Sequence, residues 1–469
     1  MAGIVGYGAY IPLHRLGAGT SGWKAPGEKA VASFDEDSIT MATAAALDCL
    51  QGRERGTVDG VYFATTTPPY EEKLSATVIT SAADLRRDVF TADFGNSLRG
   101  ATIALRAALD AVKAGTLGTA LIVAADLRVP PPGSAFEPLF GDGAAALLVG
   151  NAGAGVEVEA SYTVADELLD MWRPQGEQFV RAWEDRFAAE EGYLKVLPEA
   201  VAGLLQKGGL TAQDIGKFVL SGPTVRRVQE VAARIGCDPK TQLQDTLFGA
   251  IGNTGTPAVL IALAAALEQA KAGDRIVVAN YGNGADALLL KVTKEIERAQ
   301  GKSRLPAFLA AKQLMGDYQS YLRWRGLGIT AAGPRRPAPL TPSASALKRE
   351  EKQVLRLYGQ RCNACGTVQY PEQRVCTVCH AKDDFGDVRL SDRPATLFTY
   401  GMDYLQVAAE PPAVVGVVDF EGGGRMVAAM TDRDTKKLAV GMPLEMTFRR
   451  LITVEGIHNY YWKCMPVRG

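Results

Sequence analysis

Four of the chain's seven cysteines fall in one short window as two pairs, Cys362-x2-Cys365 and Cys376-x2-Cys379, with ten residues between the pairs. Two residues between cysteines let both thiolates face one ion, and two such turns complete a tetrahedral all-sulfur shell of the zinc-ribbon kind. Four thiolates leave no coordination position for water or substrate. The expected Zn2+ is therefore structural and holds together a knuckle too small for a core of its own. His380 follows Cys379 directly and is expected as a neighbour, since the ligand set is already complete. Cys49, Cys237 and Cys464 stand alone and are expected as small buried side chains.

Ahead of the cysteines, short apolar runs alternate with longer helical patterns, at 61–65, 74–85, 90–94, 101–113 and 119–125. That alternation predicts an α/β fold with a mostly parallel sheet covered by helices. The stronger signal is an internal repeat. Ala104-Leu105, Ala107-Ala108-Leu109 and Lys113-Ala114-Gly115 recur as Ala262-Leu263, Ala265-Ala266-Leu267 and Lys271-Ala272-Gly273 at a constant offset of 158. Each copy follows a Gly-Asn pair, Gly95-Asn96 or Gly252-Asn253, and leads to an apolar strand and a Gly-rich return, 141–148 or 282–289. Matching order, spacing and composition indicate duplication of one α/β unit. A proline-rich insertion, 129–139, separates the copies in detail.

The length of 469 residues exceeds what one core organises, about 250–300, so at least two domains are expected. Lys+Arg 51 against Asp+Glu 52 gives a net charge of -1, which excludes a general attraction to nucleic acid or anionic membrane. No apolar run reaches the roughly 20 residues that span a bilayer; the stretch from Pro257 stops at Glu268. The first residues carry no basic region of a signal peptide, so a cytoplasmic chain in a reducing compartment is expected. After 292 a charged helical stretch (307–327) precedes a proline-rich linker (331–339). Beyond the cysteines come short strands at 397–400, 414–420, 426–430, 444–448 and 460–464, the pattern of a small all-β OB barrel.

The duplicated half, the segments Gly141-Asp142-Gly143-Ala144-Ala145-Ala146 and Gly252-Asn253-Thr254-Gly255, and the opening Gly3-Ile4-Val5-Gly6-Tyr7-Gly8 together resemble the thiolase superfamily. Within it the chain is most similar to hydroxymethylglutaryl-CoA synthases of archaeal type, whose N-terminal signature matches Gly27-Glu28-Lys29-Ala30-Val31-Ala32 and Phe34-Asp35-Glu36-Asp37-Ser38. Residues from about 310 onward resemble the zinc-ribbon/OB module that accompanies such enzymes, usually as a separate chain. The resemblance implies a duplicated thiolase-like fold in five layers, αβαβα, followed by the zinc ribbon and the barrel. The expected divisions are 1–295 (repeats at about 1–160 and 161–295), a helical segment and linker at 296–350, the ribbon at 351–390 and the barrel at 391–469.

The resemblance implies an acyl-CoA enzyme that makes or breaks a carbon–carbon bond beside a thioester, with coenzyme A as part of the substrate. The family uses a Cys nucleophile, a His near the oxyanion and a Glu acid/base. By alignment Leu98 stands at the Cys position, Thr66 at the Glu position and Ser221 at the His position. A leucine forms no thioester, and Ser97 is misdirected by one residue with no His beside it. His14, the only His before the linker, is expected as a packing or surface residue.

Asn253 matches the family Asn that orients the oxyanion or its water, at the head of the second repeat helix. Tyr281 with Gly282, Asn283 and Gly284 matches the family's glycine loop, which either lines the substrate pocket or is a structural turn. Candidate bases are Tyr281, Tyr70 and Asp93, a tyrosine requiring its pKa to be lowered.

Two functions compete: a non-covalent aldol or retro-aldol enzyme acting on a 3-hydroxyacyl-CoA, and a catalytically degenerate acyl-CoA-binding or scaffold subunit of a thiolase or dehydrogenase complex. A homodimer is implied by the resemblance. Single-stranded nucleic acid is disfavoured by the absence of a basic, aromatic groove pattern in the barrel.

Overall fold

The computed structural model describes residues 2–328, 343–406 and 408–468. The chain divides into two compact units: residues 2–32, 37–80 and 85–321 form the first, and 33–36, 81–84 and the chain from 322 onward form the second. The expected linker at 331–339 lies outside the described residues.

The first unit is built on nine strands in the order Lys217–Leu220, Arg275–Tyr281, Gly284–Val292, Val156–Ala165, Gly3–Tyr10, Gly143–Gly150, Thr119–Asp126, Gly60–Ala64 and Phe90–Phe94. Within the sheet the two halves join where Gly3 and Ile4 pair with Glu157 and Val156. The sheet is mixed, which corrects the mostly parallel expectation: the outer pairings are parallel and the inner ones antiparallel. The cause lies in the repeat itself. Each copy's final strand returns beside its predecessor, and only a parallel neighbour needs a long crossover.

The duplication is visible in the register. Gly60–Ala64 runs parallel to Thr119–Asp126, which turns back into Gly143–Gly150; Lys217–Leu220 runs parallel to Arg275–Tyr281, which turns back into Gly284–Val292. The first copy's edge strand, Phe90–Phe94, survives in the second as a single bridge between Phe218 and Leu243. The repeat helices begin at Gly100 and Ala258, 158 residues apart as in the sequence.

Helix Ala258–Leu267 carries the sequence AVLIALAAAL and is buried on nearly every side. A helix apolar all round belongs in an interior, and this one packs on strands of both halves. Helix Ser38–Cys49, started by an Asp37–Thr40 capping box, covers the outside of one half, and Leu194–Gly208 the outside of the other. The layers are thus αβαβα, the thiolase-like order. The expected helix at 307–327 is two short helices, Leu305–Ala310 and Tyr318–Trp324; the first ends before the strand Gln313–Leu314, which pairs with His14 and Arg15. His14 is buried there.

In the second unit, Tyr358–Cys362 pairs with Val368–Gln369 and Phe385–Arg389 in the ribbon. Five further strands pair in the order Arg425–Ala429, Ala413–Phe420, Ala395–Asp403, Pro443–Val454 and Ile457–Pro466, and a Met430–Cys464 bridge brings the outer strands together as an OB-type barrel. The signature residues Asp35 and Glu36 belong to this unit. Arg449 lies 2.6 Å from Glu36 and from Asp432, and Lys463 lies 2.7 Å from Asp35, all nearly inaccessible to water. Buried charges persist only when paired in this way.

Candidate functional site

The strand ends of the first unit carry the candidate residues, and hydrogen bonds together with two single-residue steps along the backbone link them. At one end lies Leu98, half-buried in the turn before helix Gly100–Lys113. Its carbonyl accepts from Asn280 Nδ2 at 3.2 Å, and Asn280 Oδ1 accepts from Ser221 Oγ at 2.5 Å. One residue on, the Gly222 carbonyl accepts from Asn253 Nδ2 at 3.2 Å, and Asn253 Oδ1 accepts from the Gly255 amide at 2.9 Å. From there Thr256 donates through both its amide and its hydroxyl to Asp126 Oδ2. Asp126 in turn accepts from the Thr66 amide at 2.7 Å and the Thr66 hydroxyl at 2.9 Å. The structure thus gathers Leu98, Ser221, Asn253 and Thr66, which are far apart in sequence, around a common centre.

Asp126 and Asn280 organise this centre, and neither lies in a recognisable motif. Asp126 ends strand Thr119–Asp126 with no exposed surface, and Asn280 is 2% exposed near the end of Arg275–Tyr281. Extending the repeat comparison into these strands, IVAAD against VVAN, would have aligned them. Asp126 takes six donors, the others being Thr65 Oγ and Thr67 Oγ, which exhausts a carboxylate's lone pairs. Asn253 lies in the loop ahead of helix Ala258–Leu267, not at its first turn. The backbone donor just ahead of that helix, Thr256 N–H, goes to the Asp126 carboxylate.

Tyr281 follows Asn280. Its hydroxyl donates to Asp170 Oδ2 at 2.9 Å, and its ring meets Tyr193 edge-on at 5.5 Å. Burial, followed by the Asp170 charge, holds the phenol well above its ordinary range, the reverse of what a free phenolate base requires. Asp93 is committed elsewhere: its two oxygens accept from Ser75 and Ala76 amides and start helix Ala76–Ala82. The ring of Tyr70 lies 5.8 Å from Lys73 Nζ. Ser97 Oγ donates to the Gly282 carbonyl at 3.1 Å.

The glycine loop has a packing reason. A Cβ on Gly282 would lie 3.0 Å from the Arg99 amide nitrogen, and Gly284 sits at φ +106 with its open side against Val164 O. The Gly282 N–H is bonded to Gly284 O at 2.9 Å, and the Asn283 carbonyl accepts from Arg99 Nη2 at 3.2 Å. These backbone groups hold the loop against residues 97–99.

In the second unit the sulfurs of Cys362, Cys365, Cys376 and Cys379 all lie within 4.8 Å of one another. The positions fit tetrahedral thiolate ligation. His380, at φ +60, follows the last ligand in a turn. Cys49, Cys237 and Cys464 are buried, and burial raises each thiol above its ordinary range. Among the described residues no helix is long and apolar enough to cross a membrane.

Comparisons with known proteins follow these divisions. Residues 92–166 match 3-oxoacyl-[acyl-carrier-protein] synthase III and 205–292 its C-terminal part. Residues 349–384 match the ChsH2 rubredoxin-like zinc ribbon domain and 387–449 the ChsH2 C-terminal OB-fold domain. Among solved structures, MvaS in complex with 3-hydroxy-3-methylglutaryl coenzyme A superposes with a TM-score of 0.61 at 21% identity, covering 72% of this chain and 94% of that one. The 3-oxoacyl-[acyl-carrier-protein] synthase III of Aquifex aeolicus gives 0.55 at 22% identity, covering 62% and 100%. The hydroxymethylglutaryl-CoA synthase of Aeropyrum pernix is 32% identical over 342 residues, 69% of this chain and 94% of that protein; that of Methanocaldococcus jannaschii is 31% identical over 341 residues, 69% and 99%. With this identity across nearly the whole length of those relatives, the chain belongs to the hydroxymethylglutaryl-CoA synthase family and carries a zinc ribbon and an OB domain at its C-terminal end.

Proposed function

We propose that the protein is an acyl-CoA carbon–carbon lyase or ligase that works without a covalent acyl-enzyme, cleaving or forming a 3-hydroxyacyl-CoA by aldol chemistry. Family membership supports the acyl-CoA and the bond type. The observation that carries the non-covalent reading is Leu98: Asn280 bonds its carbonyl to the chain of candidate residues, and its side chain has nothing to acylate.

In the cleavage direction the 3-hydroxyl proton passes to Tyr281 Oη while Tyr281 gives its own proton to Asp170, so the pair serves as base without a standing phenolate. The O–H electron pair becomes the new carbonyl, the Cα–Cβ pair passes to the thioester as an enolate, and the enolate takes up at Cα the proton that Tyr281 and Asp170 accepted, which returns the pair to its starting state. Asn253 Nδ2 has a second N–H with which to hold the enolate oxygen. Gly282, Asn283 and Gly284 hold the acyl pocket's wall against 97–99. The four thiolates hold a structural Zn2+, which suits a reducing compartment such as the cytoplasm.

A homodimer follows if edge strand Phe90–Phe94, paired on one side only among the described residues, meets its own copy. Incubation with 3-hydroxyacyl-CoAs and detection of the shorter acyl-CoA tests the activity. Cleavage lost in Tyr281→Phe and reduced in Asn253→Ala supports the assignment; equal rates in both variants overturn it. The scaffold reading is favoured by the simultaneous loss at Leu98, Thr66 and Ser221, and predicts thioester binding without turnover, together with a thiolase or dehydrogenase partner.

A further inference from the structure

The Arg128 side chain is 5% exposed, and among the described residues it has no carboxylate within ion-pair distance. Its Nη1 is buried without any hydrogen-bond partner, and Nη2 meets only Met171 Sδ at 2.9 Å. Its Cζ lies 3.9 Å from the centre of the Phe140 ring. Burial, more than any neighbouring charge, pulls its pKa down to about 10. The Asp126 charge acts on it from nearby but makes no contact with it; a guanidinium stripped of water with no anion in contact is costly, and such a charge persists where something else completes it.

Its surroundings say what that is. Met171 follows Asp170, the partner of Tyr281; Phe140 is bridged to Asn253; and a Cβ on Gly255 would come within 2.9 Å of Arg128 Cδ. Arg128 is thus held between the Asp170 segment and the Asn253 segment, the two flanks of the centre described above. Asp126, the nearest acid in sequence, is saturated by its six donors and takes none from Arg128. Arg173 adds a second positive charge at this corner, donating to the Thr66 carbonyl at 2.6 Å. At the position where the family resemblance implies a Glu, the chain therefore has a neutral threonine, bonded to an Asp126 carboxylate already filled by its donors, and two nearby cations.

We propose that Arg128 is the anion-binding residue of the acyl pocket, taking a carboxylate-sized oxyanion on the acyl portion of the thioester: a carboxylate that the acyl group carries, or the enolate oxygen formed when the carbon–carbon bond breaks. The proposal rests on an acyl-CoA occupying this site, but not on cleavage.

The test uses the full chain with Arg128→Met and Arg128→Lys, glutaryl-CoA and pentanoyl-CoA as probes of equal acyl carbon number, and free glutarate. If the anion is the acyl carboxylate, the native chain binds glutaryl-CoA at least about tenfold more tightly than pentanoyl-CoA, Arg128→Met abolishes the preference and Arg128→Lys keeps part of it. If it is the enolate, affinities are equal, but exchange of the pentanoyl-CoA α-proton for deuterium, followed by NMR, slows about a hundredfold in Arg128→Met. In either case Arg128→Met melts no lower than the native chain, since a buried unpaired charge has been removed. Unchanged preference and unchanged exchange overturn the proposal, as does a lower melting temperature accompanied by neither change. Preference without cleavage of any 3-hydroxyacyl-CoA refutes the aldol reading and leaves this one standing. If neither thioester binds, the acyl-CoA reading fails, and free glutarate decides the anion site: a rise in melting temperature confined to the native chain supports it, and no rise overturns it.

Discussion

Ser221 Oγ donates to Asn280 Oδ1 at 2.5 Å, and Thr66 Oγ donates to Asp126 Oδ2 at 2.9 Å. The parallel registers make these two bonds counterparts. Ala64 faces Ala124 and Leu220 faces Ala279, so Thr66 and Ser221 each step off the end of a strand onto a polar residue near the end of its neighbour. The positions aligned with the family's Glu and His are therefore the same position in the two copies of the repeat.

Asn280 holds Ser221 and the Leu98 carbonyl together from a buried site, so Asn280→Ala leaves both without their partner. The expected loss is about 2–3 kcal/mol of unfolding free energy, read from urea midpoints at unchanged m-value. A loss within about 0.5 kcal/mol would mean that water replaces the amide.

Leu98→Cys alone restores a thiol but not the group that activates it. Incubation with acetyl-CoA should give no stoichiometric acyl adduct by intact mass, whereas Leu98→Cys combined with Ser221→His should accumulate one. Acylation of the single variant would show that the pocket supplies another base.

Metal removal should act on the ribbon alone. Native protein should carry stoichiometric zinc, and a strong chelator or Cys376→Ser should open the strand set 358–389 to protease while helix Ala258–Leu267 stays protected from hydrogen exchange. Unchanged digestion of the zinc-free chain would contradict the structural role.

Asp48 provides a pH signature. It is 6% exposed, and burial raises its pKa from 3.8 to about 6 despite donors from Ala9, Ser303 and Arg304. Between those values the folded chain keeps a proton that the unfolded chain has released. This contribution to stability therefore falls as pH rises from about 4 to about 6 and is level above, by up to about 3 kcal/mol. Measured against Asp48→Asn, which does not titrate, the native chain should lose ground across that window. A constant difference would mean that Asp48 is ionised throughout.

Much of this architecture is legible in the sequence because it rests on short-range regularities. The CxxC pairs, the 158-residue offset and the wholly apolar segment 258–267 each state a local geometry. The sheet's antiparallel interior was not legible, because strand direction depends on which neighbours a returning strand finds. Nor were Asp126, Asn280, Asp170 and Arg128. Their significance lies in what they touch across the fold: Asp126 meets residues up to 130 positions away, and Tyr281 meets Asp170 at 111. Asp93 shows the opposite error, a carboxylate well placed in sequence for chemistry that proves to be a helix cap.

Asp126 and Asn280 occupy equivalent places but differ by a charge. The backbone duplication is nearly symmetrical, yet the Thr66 side carries a carboxylate with two guanidiniums close by, and the Ser221 side carries an amide. The field between the two positions therefore has a direction. The fold thus provides two matched sockets of different polarity, and under the proposed function which end of a thioester is drawn to which socket is decided before any reacting group moves.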